Sequence, residues 1–230
     1  MSAIGGPATV TSGLVLELDA GNIKSYPTTG TTWFDKSGNA NNGTLTNGPT
    51  FNTGSLGSIV FDGVDDYVEL LPNYNTITTS GTAEIAIKFN GTNSYKHVWT
   101  FDKSDAPEIR LATAPGGNFG FFIYDTPGGY RFQSTPITPA MYSNVWIYIQ
   151  VVWGNNDYRI YLNGSIIASQ SSGGVITNTG PATTSRLGNY PRAGSSQFNG
   201  SIGNFRIYNR SLSDSEVLQN FNATRARFGI

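Results

Sequence analysis

The chain contains no cysteine, so neither a disulfide framework nor a thiolate site contributes to its fold or chemistry, and thiols say nothing of its redox compartment. It has little charge: 13% of its 230 residues are Asp, Glu, Lys or Arg, well below the roughly 25% of a typical soluble domain. The 14 basic and 15 acidic side chains leave a net charge of −1 and form no block of either sign. A nucleic-acid partner calls for a basic stripe to neutralise phosphates, so the composition argues against one. No apolar run approaches the ~20 residues of a membrane span. The opening "MSAIGGPATVTSG" has neither the basic cluster nor the apolar run of a signal peptide. The expectation is synthesis in a cytoplasm without export by that route.

What the chain does have is turn and strand chemistry. It holds Gly 28 and Pro 11, and aromatics reach 13%. "LVLEL" (14–18), "SIVF" (58–61), "YVEL" (67–70), "HVWTF" (97–101), "EIRLAT" (108–113) and "FGFFIY" (119–124) read as short strands. "AEIAIKF" (83–89) alternates apolar and polar residues at period two, the pattern of a strand buried on one face. "VWIYIQVVW" (145–153) is the most strand-like run, rich in β-branched and aromatic residues. In "DYRIYLNGSIIAS" (157–169) two alternating runs meet at Asn163-Gly164, the pair suited to a two-residue type I′ turn. "FNGSIGNFRIYN" (198–209) is the last strand region. Between the first strands lies a long polar stretch, 20–44, which Trp33 and Phe34 are expected to pin to the body.

The C-terminus alone reads as helical. Ser213 and Glu216 fit a capping box. Val217, Leu218 and Phe221 fall on one face, predicting a short helix over about 214–224 docked on the sheets. Many short strands with turns every 8–12 residues, and no linker between composition regimes, predict an all-β, two-sheet antiparallel sandwich. The expected organisation is an N-terminal arm over 1–12, ordering only against a partner, and one domain over 13–230.

Catalytic and metal motifs are sparse. In "FDGVDDYVEL" (61–70), Asp62, Asp65 and Asp66 are calcium-ligand candidates, but their spacing fits no EF-hand loop. The simpler reading is a strand-to-strand turn in which Asp62-Gly63 bends the chain and a carboxylate caps backbone amides. His97 is the only histidine, and no Gly-x-Ser-x-Gly elbow accompanies it, so a serine triad or a zinc site lacks partners. Six Asn-x-Ser/Thr sequons, such as Asn163-Gly164-Ser165, follow from the abundance of these residues; the Asn-Gly steps read as turns.

"FDGVDDYVEL", "YRIYLNGSIIAS" and "FNGSIGNFRIYNRSLSDSEVLQNFNA", with the N-terminal "GLVLELDAGNIKSYP" and "TTWFDKSGNANNGTLTNGPTF", resemble the blocks of concanavalin A-like, laminin-G-like jelly rolls over residues 13–222. "LDAGNIKSYP" and the ending "SLSDSEVLQNFNATRARFGI" are also similar to laminin-G-like virion components of tailed bacteriophages. The resemblance implies a jelly-roll sandwich with a short C-terminal helix, calcium near a strand-end loop in some relatives, and frequent glycan binding. Glycosidases of this fold carry Glu-x-Asp-x-x-Glu on one strand; the corresponding strands here offer Glu108 and no second carboxylate.

Sugar sites combine an aromatic face with groups that satisfy hydroxyls. Two loops have that mixture: "YDTPGGYRF" (124–132), with Tyr124, Tyr130 and Arg131, and "LGNYPRAGSSQF" (187–198), with Tyr190, Arg192 and Gln197. Either serves equally as a contact with a neighbouring subunit. The expectation is therefore a non-enzymatic structural protein of a phage particle, decorating the capsid or forming part of a tail or fibre. It attaches to other virion proteins and contacts host-surface polysaccharide through many copies. The alternative is a dedicated lectin module, and a glycoside hydrolase stands third. No cofactor is expected beyond a structural calcium.

Overall fold

The computed structural model describes residues 7–70, 79–92, 94–102, 108–126, 129–154, 156–171, 184–191 and 196–230, with backbone alone at 125–126 and 129–133. The strands fall into two eight-stranded antiparallel sheets. The first contains β1 (Leu14–Asp19), β4 (Thr50–Asn52), β5 (Ser58–Asp62), β7 (Ser80–Phe89), β12 (Trp146–Gly154), β13 (Asp157–Leu162), β14 (Ser165–Gln170) and β16 (Asn199–Tyr208). Its order is β14-β13-β12-β7-β16-β5-β4. One edge of β16 is shared: β5 pairs with its first half and β1 with its second. The second sheet contains β2 (Thr32–Trp33), β3 (Gly43–Thr46), β6 (Tyr67–Leu70), β8 (His97–Asp102), β9 (Glu108–Thr113), β10 (Phe119–Thr126), β11 (Gly129–Ile137) and β15 (Thr184–Leu187). Its order is β11-β10-β9-β8-β15-β6-β3-β2. This is the two-sheet antiparallel sandwich that the strand and turn pattern predicts, and the jelly roll that the resemblance implies.

Side-chain alternation along these strands makes the core. In the second sheet, Val68, Leu187, Trp99, Leu111 and Phe121 are cross-strand partners and all point inward, fully buried. They meet residues of the first sheet such as Trp153, whose ring lies 6.3 Å from that of Trp99. Gly81 makes room for Trp153: a Cβ there would lie 2.3 Å from the indole. Trp33 pins the polar stretch as expected, while Phe34 is exposed.

The hairpin turns at Asn163-Gly164 with φ of 49° and 78°, the positive pair that a type I′ turn needs. Among the described residues there are two α-helices: a single turn, α1 (Pro139–Tyr142), and α2 (Asp214–Phe228), longer than the predicted 214–224. Its capping box is present: the Ser213 hydroxyl accepts from the Glu216 amide, and the Glu216 carboxylate accepts from the Ser213 amide.

α2 lies across the outer face of the first sheet, which corrects two expectations. β7 is buried on both faces over most of its length rather than on one, because α2 covers Glu84 and the segment before it, 210–212, covers Thr82. Leu218 points outward, 47% exposed, while Val217, Asn220, Phe221, Thr224 and Phe228 face the sheet. Beneath the helix the wholly buried Glu84 accepts hydrogen bonds from Gln150 Nε2 (2.7 Å), Asn220 Nδ2 (2.9 Å) and Tyr148 Oη (3.1 Å). Burial pushes its carboxyl pKa up, against the pull of the nearby Arg206 charge. Asn220 Oδ1 also accepts from the amide of Val10 (2.8 Å) and Gln219 Nε2 donates to the Ala8 carbonyl (2.7 Å), so the chain is tied to the domain from Ala8, while the start of the predicted arm, 1–6, is outside the described residues. Neither helix is long and apolar enough to cross a membrane.

Candidate functional site

The outer face of the second sheet carries the polar counterpart of the core row. Thr44, Glu69, Arg186, Thr100, Arg110 and Phe122 are successive cross-strand partners over six strands. The two arginines of this row are held alike, each by a glutamate and an aromatic ring. Arg186 donates to Glu69 (2.7 Å) and lies 4.2 Å over the Tyr67 ring. Arg110 donates through Nε and Nη2 to the two oxygens of Glu108, its neighbour two residues back on the same strand face. Its guanidinium carbon sits 4.7 Å from the ring centroid of Tyr124 and 4.2 Å from that of Tyr190. Nη2 also donates to Tyr190 Oη (2.9 Å). Nη1 has no hydrogen-bond partner among the described residues.

The two candidate loops thus converge: Tyr124 from one and Tyr190 from the other flank a single arginine. Tyr190 is buried, 9% exposed, and its ring lies flat against His97 at 4.9 Å. Tyr124 is partly exposed. Gln197 forms an isolated backbone bridge with His97, tying the second loop to the start of β8. Arg192 lies outside the described residues, as do the side chains of Tyr130 and Arg131.

Beside Arg110 is a cavity of about 160 Å³. Tyr95, Tyr124 and Phe122 supply aromatic walls, and His97 and Arg110 supply polar groups. Ala112, Ala114 and Pro115 complete an apolar side. His97 is 8% exposed and its Nδ1 is buried without a hydrogen-bond partner. Burial, and then the neighbouring Arg110 charge, lower its pKa to about 3, so the ring is neutral at physiological pH. Arg110 stays charged, since pairing with Glu108 outweighs the effect of burial and raises its pKa.

Tyr95 stands at the cavity's rim, 60% exposed, with φ at 57°. For a bulky residue that is a strained backbone, of the kind that concentrates at functional sites. Neither Arg110 nor Tyr95 was singled out in the sequence. The available signal for Arg110 was the Glu-x-Arg spacing of "EIRLAT", which puts both charges on one face of a strand. For Tyr95 there was none, because its turn conformation depends on the surrounding loops.

The corner at 61–66 is a turn, as read. Asp62 Oδ1 accepts from the Val64 amide (2.7 Å), Asp66 Oδ2 accepts from the Asp62 amide (2.9 Å), and Gly63 has φ of 82°. Ligand oxygens of Asp62, Asp65 and Asp66 lie within 4.8 Å of one another. Two of the three carboxylates already serve backbone amides, and calcium takes six to eight oxygens. These residues build the architecture of the corner, and their carboxylates also lie close enough together to be a candidate cation group.

Two packed antiparallel sheets with a polar and aromatic row on one outer face define a lectin-type jelly roll. The chain belongs to the concanavalin A-like lectin/glucanases superfamily, whose laminin-G sequence model matches residues 62–218. No curated protein sequence matches the chain. Among solved structures it is similar to domain 4 of AbnA, an extracellular arabinanase of Geobacillus stearothermophilus in complex with arabinotriose. The TM-score is 0.70 and identity 17%, covering 92% of this chain and 98% of that one. It is also similar to the binding domain of botulinum neurotoxin serotype D, with TM-score 0.71, 17% identity and coverage of 92% and 52%. A third is Trypanosoma rangeli sialidase in complex with the inhibitor DANA, with TM-score 0.67, 15% identity and coverage of 94% and 33%. The chain therefore spans about half of the toxin domain and a third of the sialidase. At these identities the likeness establishes the fold.

Proposed function

We propose that this domain is a non-enzymatic carbohydrate-recognition module whose binding site is the cavity beside Arg110. The observation that carries the reading is the arginine itself. Its guanidinium is fixed by Glu108 and flanked by two tyrosine rings, it lines a cavity walled by aromatic side chains, and its Nη1 is taken up by none of the described residues. A preorganised planar donor beside a stacking surface is what a sugar's hydroxyls and apolar ring face require. The complex of the arabinanase domain with arabinotriose supports the choice of ligand class.

The non-enzymatic part of the reading rests on the carboxylates of the row. Glu69 and Glu108 are each neutralised by an arginine, whereas a glycosidase needs one free nucleophile or base and one protonated acid. Screening the folded protein on a glycan array, followed by titration of the hits, tests the reading. Saturable binding lost in Tyr124→Ala supports it, and new reducing ends from an incubated polysaccharide refute the non-enzymatic part.

The setting we propose is a phage particle, on the strength of the resemblance of "LDAGNIKSYP" and "SLSDSEVLQNFNATRARFGI" to laminin-G-like virion components. There, protein contacts hold the module to the capsid or tail, and many weak sugar contacts on one particle act together as a strong anchor. Mass spectrometry of purified particles, with copy number, checks this placement; absence from the particle refutes it.

A further inference from the structure

The lining of the cavity divides into two chemically different sides. We propose that it selects a neutral acetamido sugar, an N-acetylhexosamine, over the parent hexose and over acidic sugars. The inference rests on the reading of this cavity as a sugar site and goes on to name the sugar class.

One side is polar and carries Arg110 beside the neutral ring of His97, whose Nδ1 is buried. Arg110 Nη1 is the guanidinium nitrogen not taken up by Glu108 or Tyr190, and it suits a carbonyl oxygen. The other side, formed by Ala112, Ala114, Pro115 and Phe122, offers methyl, ring methylene and aromatic carbon. Its backbone is already engaged: the Ala114 carbonyl accepts from the Gly117 amide (3.0 Å). Thr113 is buried, 3% exposed, with its Oγ1 turned to the Lys96 amide (2.8 Å). A hydroxyl laid against that wall loses water without gaining a partner, whereas a methyl loses nothing. An acetamido group carries both complements at once, an acceptor oxygen and a methyl on the same planar unit.

Charge points the same way. The Arg110 cation is matched by the Glu108 carboxylate at its Nε–Nη2 edge, and the histidine beside it is neutral. A sugar carboxylate would arrive next to an already compensated arginine and within the field of Glu108. The cavity of about 160 Å³ corresponds to about five water molecules at about 30 Å³ each, room for the acetamido group itself with the sugar ring lying at the aromatic rim.

The test is calorimetric or saturation-transfer titration of the whole chain with N-acetylglucosamine, N-acetylgalactosamine, glucose, galactose and glucuronate. At least one acetamido sugar is expected to bind about tenfold or more tighter than its parent hexose, the scale of one buried methyl group. Its acetyl methyl protons should receive the strongest saturation. Ala114→Leu fills the apolar side from a partly exposed, extended backbone position. It is expected to bring the acetamido sugar down to the affinity of the hexose with an unchanged melting temperature. Equal binding of hexose and acetamido sugar, or tighter binding of glucuronate, overturns this inference while leaving the carbohydrate reading standing. Failure of the folded wild type to bind any carbohydrate overturns both.

Discussion

Tyr190 lies flat against His97, ring centroids 4.9 Å apart and planes 26° from parallel, and the same tyrosine holds Arg110 through its ring and its hydroxyl. One buried phenol thus fixes the two polar groups of the cavity. Tyr124 touches the same arginine from the partly exposed side. The two tyrosines should therefore fail differently. Tyr190→Ala removes a buried aromatic and is expected to cost about 3 kcal/mol in a denaturant titration. Tyr124→Ala is expected to cost less than about 1 kcal/mol and to lower sugar affinity tenfold or more. Equal stability losses in the two variants would contradict this division of labour.

Tyr95 carries strain in exchange for its place at the rim. At φ of 57° a tyrosine is disfavoured by about 1–3 kcal/mol, whereas glycine adopts that conformation freely at an entropic cost of about 0.5–1 kcal/mol. Tyr95→Gly is thus expected to stabilise the fold by roughly 1 kcal/mol while weakening sugar binding, read by thermal melting and titration of the same sample. A variant that loses stability would show that the ring is held there by packing and not by function.

Glu84 predicts a pH dependence with a definite sign. Its folded-state pKa is raised above the usual glutamate value, chiefly by burial. The unfolded chain therefore ionises it first. Its contribution to stability is complete below the ordinary glutamate pKa of about 4.3 and is lost as pH rises through the folded value. Glu84→Gln keeps an acceptor for Gln150 and Asn220 and removes the titration. Relative to wild type, the variant should gain stability between pH 4 and neutrality, measured as the difference in unfolding midpoint at each pH. A difference independent of pH would mean that the carboxyl does not titrate in this range.

The corner formed by Asp62, Asp65 and Asp66 predicts indifference to calcium. Asp66 is buried, and desolvation, reinforced by the neighbouring carboxylates, raises its pKa against the pull of the Asp62 amide. Chelation should leave the melting temperature unchanged within about 2 °C, equivalent to no more than about 0.5–1 kcal/mol for a chain of this size. A rise of several degrees on adding millimolar calcium, abolished by Asp65→Asn, would instead make the corner a metal site.

Much of this fold was legible because its signals are local. Short strand-like runs between turn residues marked β6, β9 and β10 within a residue or two, Asn163-Gly164 marked the hairpin, and Ser213 with Glu216 marked the start of α2. What was not legible depends on distant packing. β7 reads as half-buried because Glu84 and Lys88 interrupt its apolar residues, yet α2, more than a hundred residues later, covers Glu84 and supplies Asn220 to it. Leu218 reads as a core residue by spacing, but the capping box and the partners of Asn220 set the helix rotation so that it faces out. The site divided in the same way. Composition marked the loops of Tyr124 and Tyr190, but that both flank Arg110 follows from the order β10-β9-β8-β15, which no local pattern states.

The claim that binding is centred on Arg110 is tested most directly by mapping amide and guanidinium Nε–H shifts in the isotope-labelled protein during titration with an N-acetylhexosamine. The account predicts saturable shifts clustered at Arg110 Nε and at the amides of Tyr95, Ala114, Phe122 and Tyr124, with the amides around Asp62–Asp66 unmoved. Shifts gathered instead at the groove of Ile23, Phe51 and Leu56, or at the 61–66 corner, would contradict it.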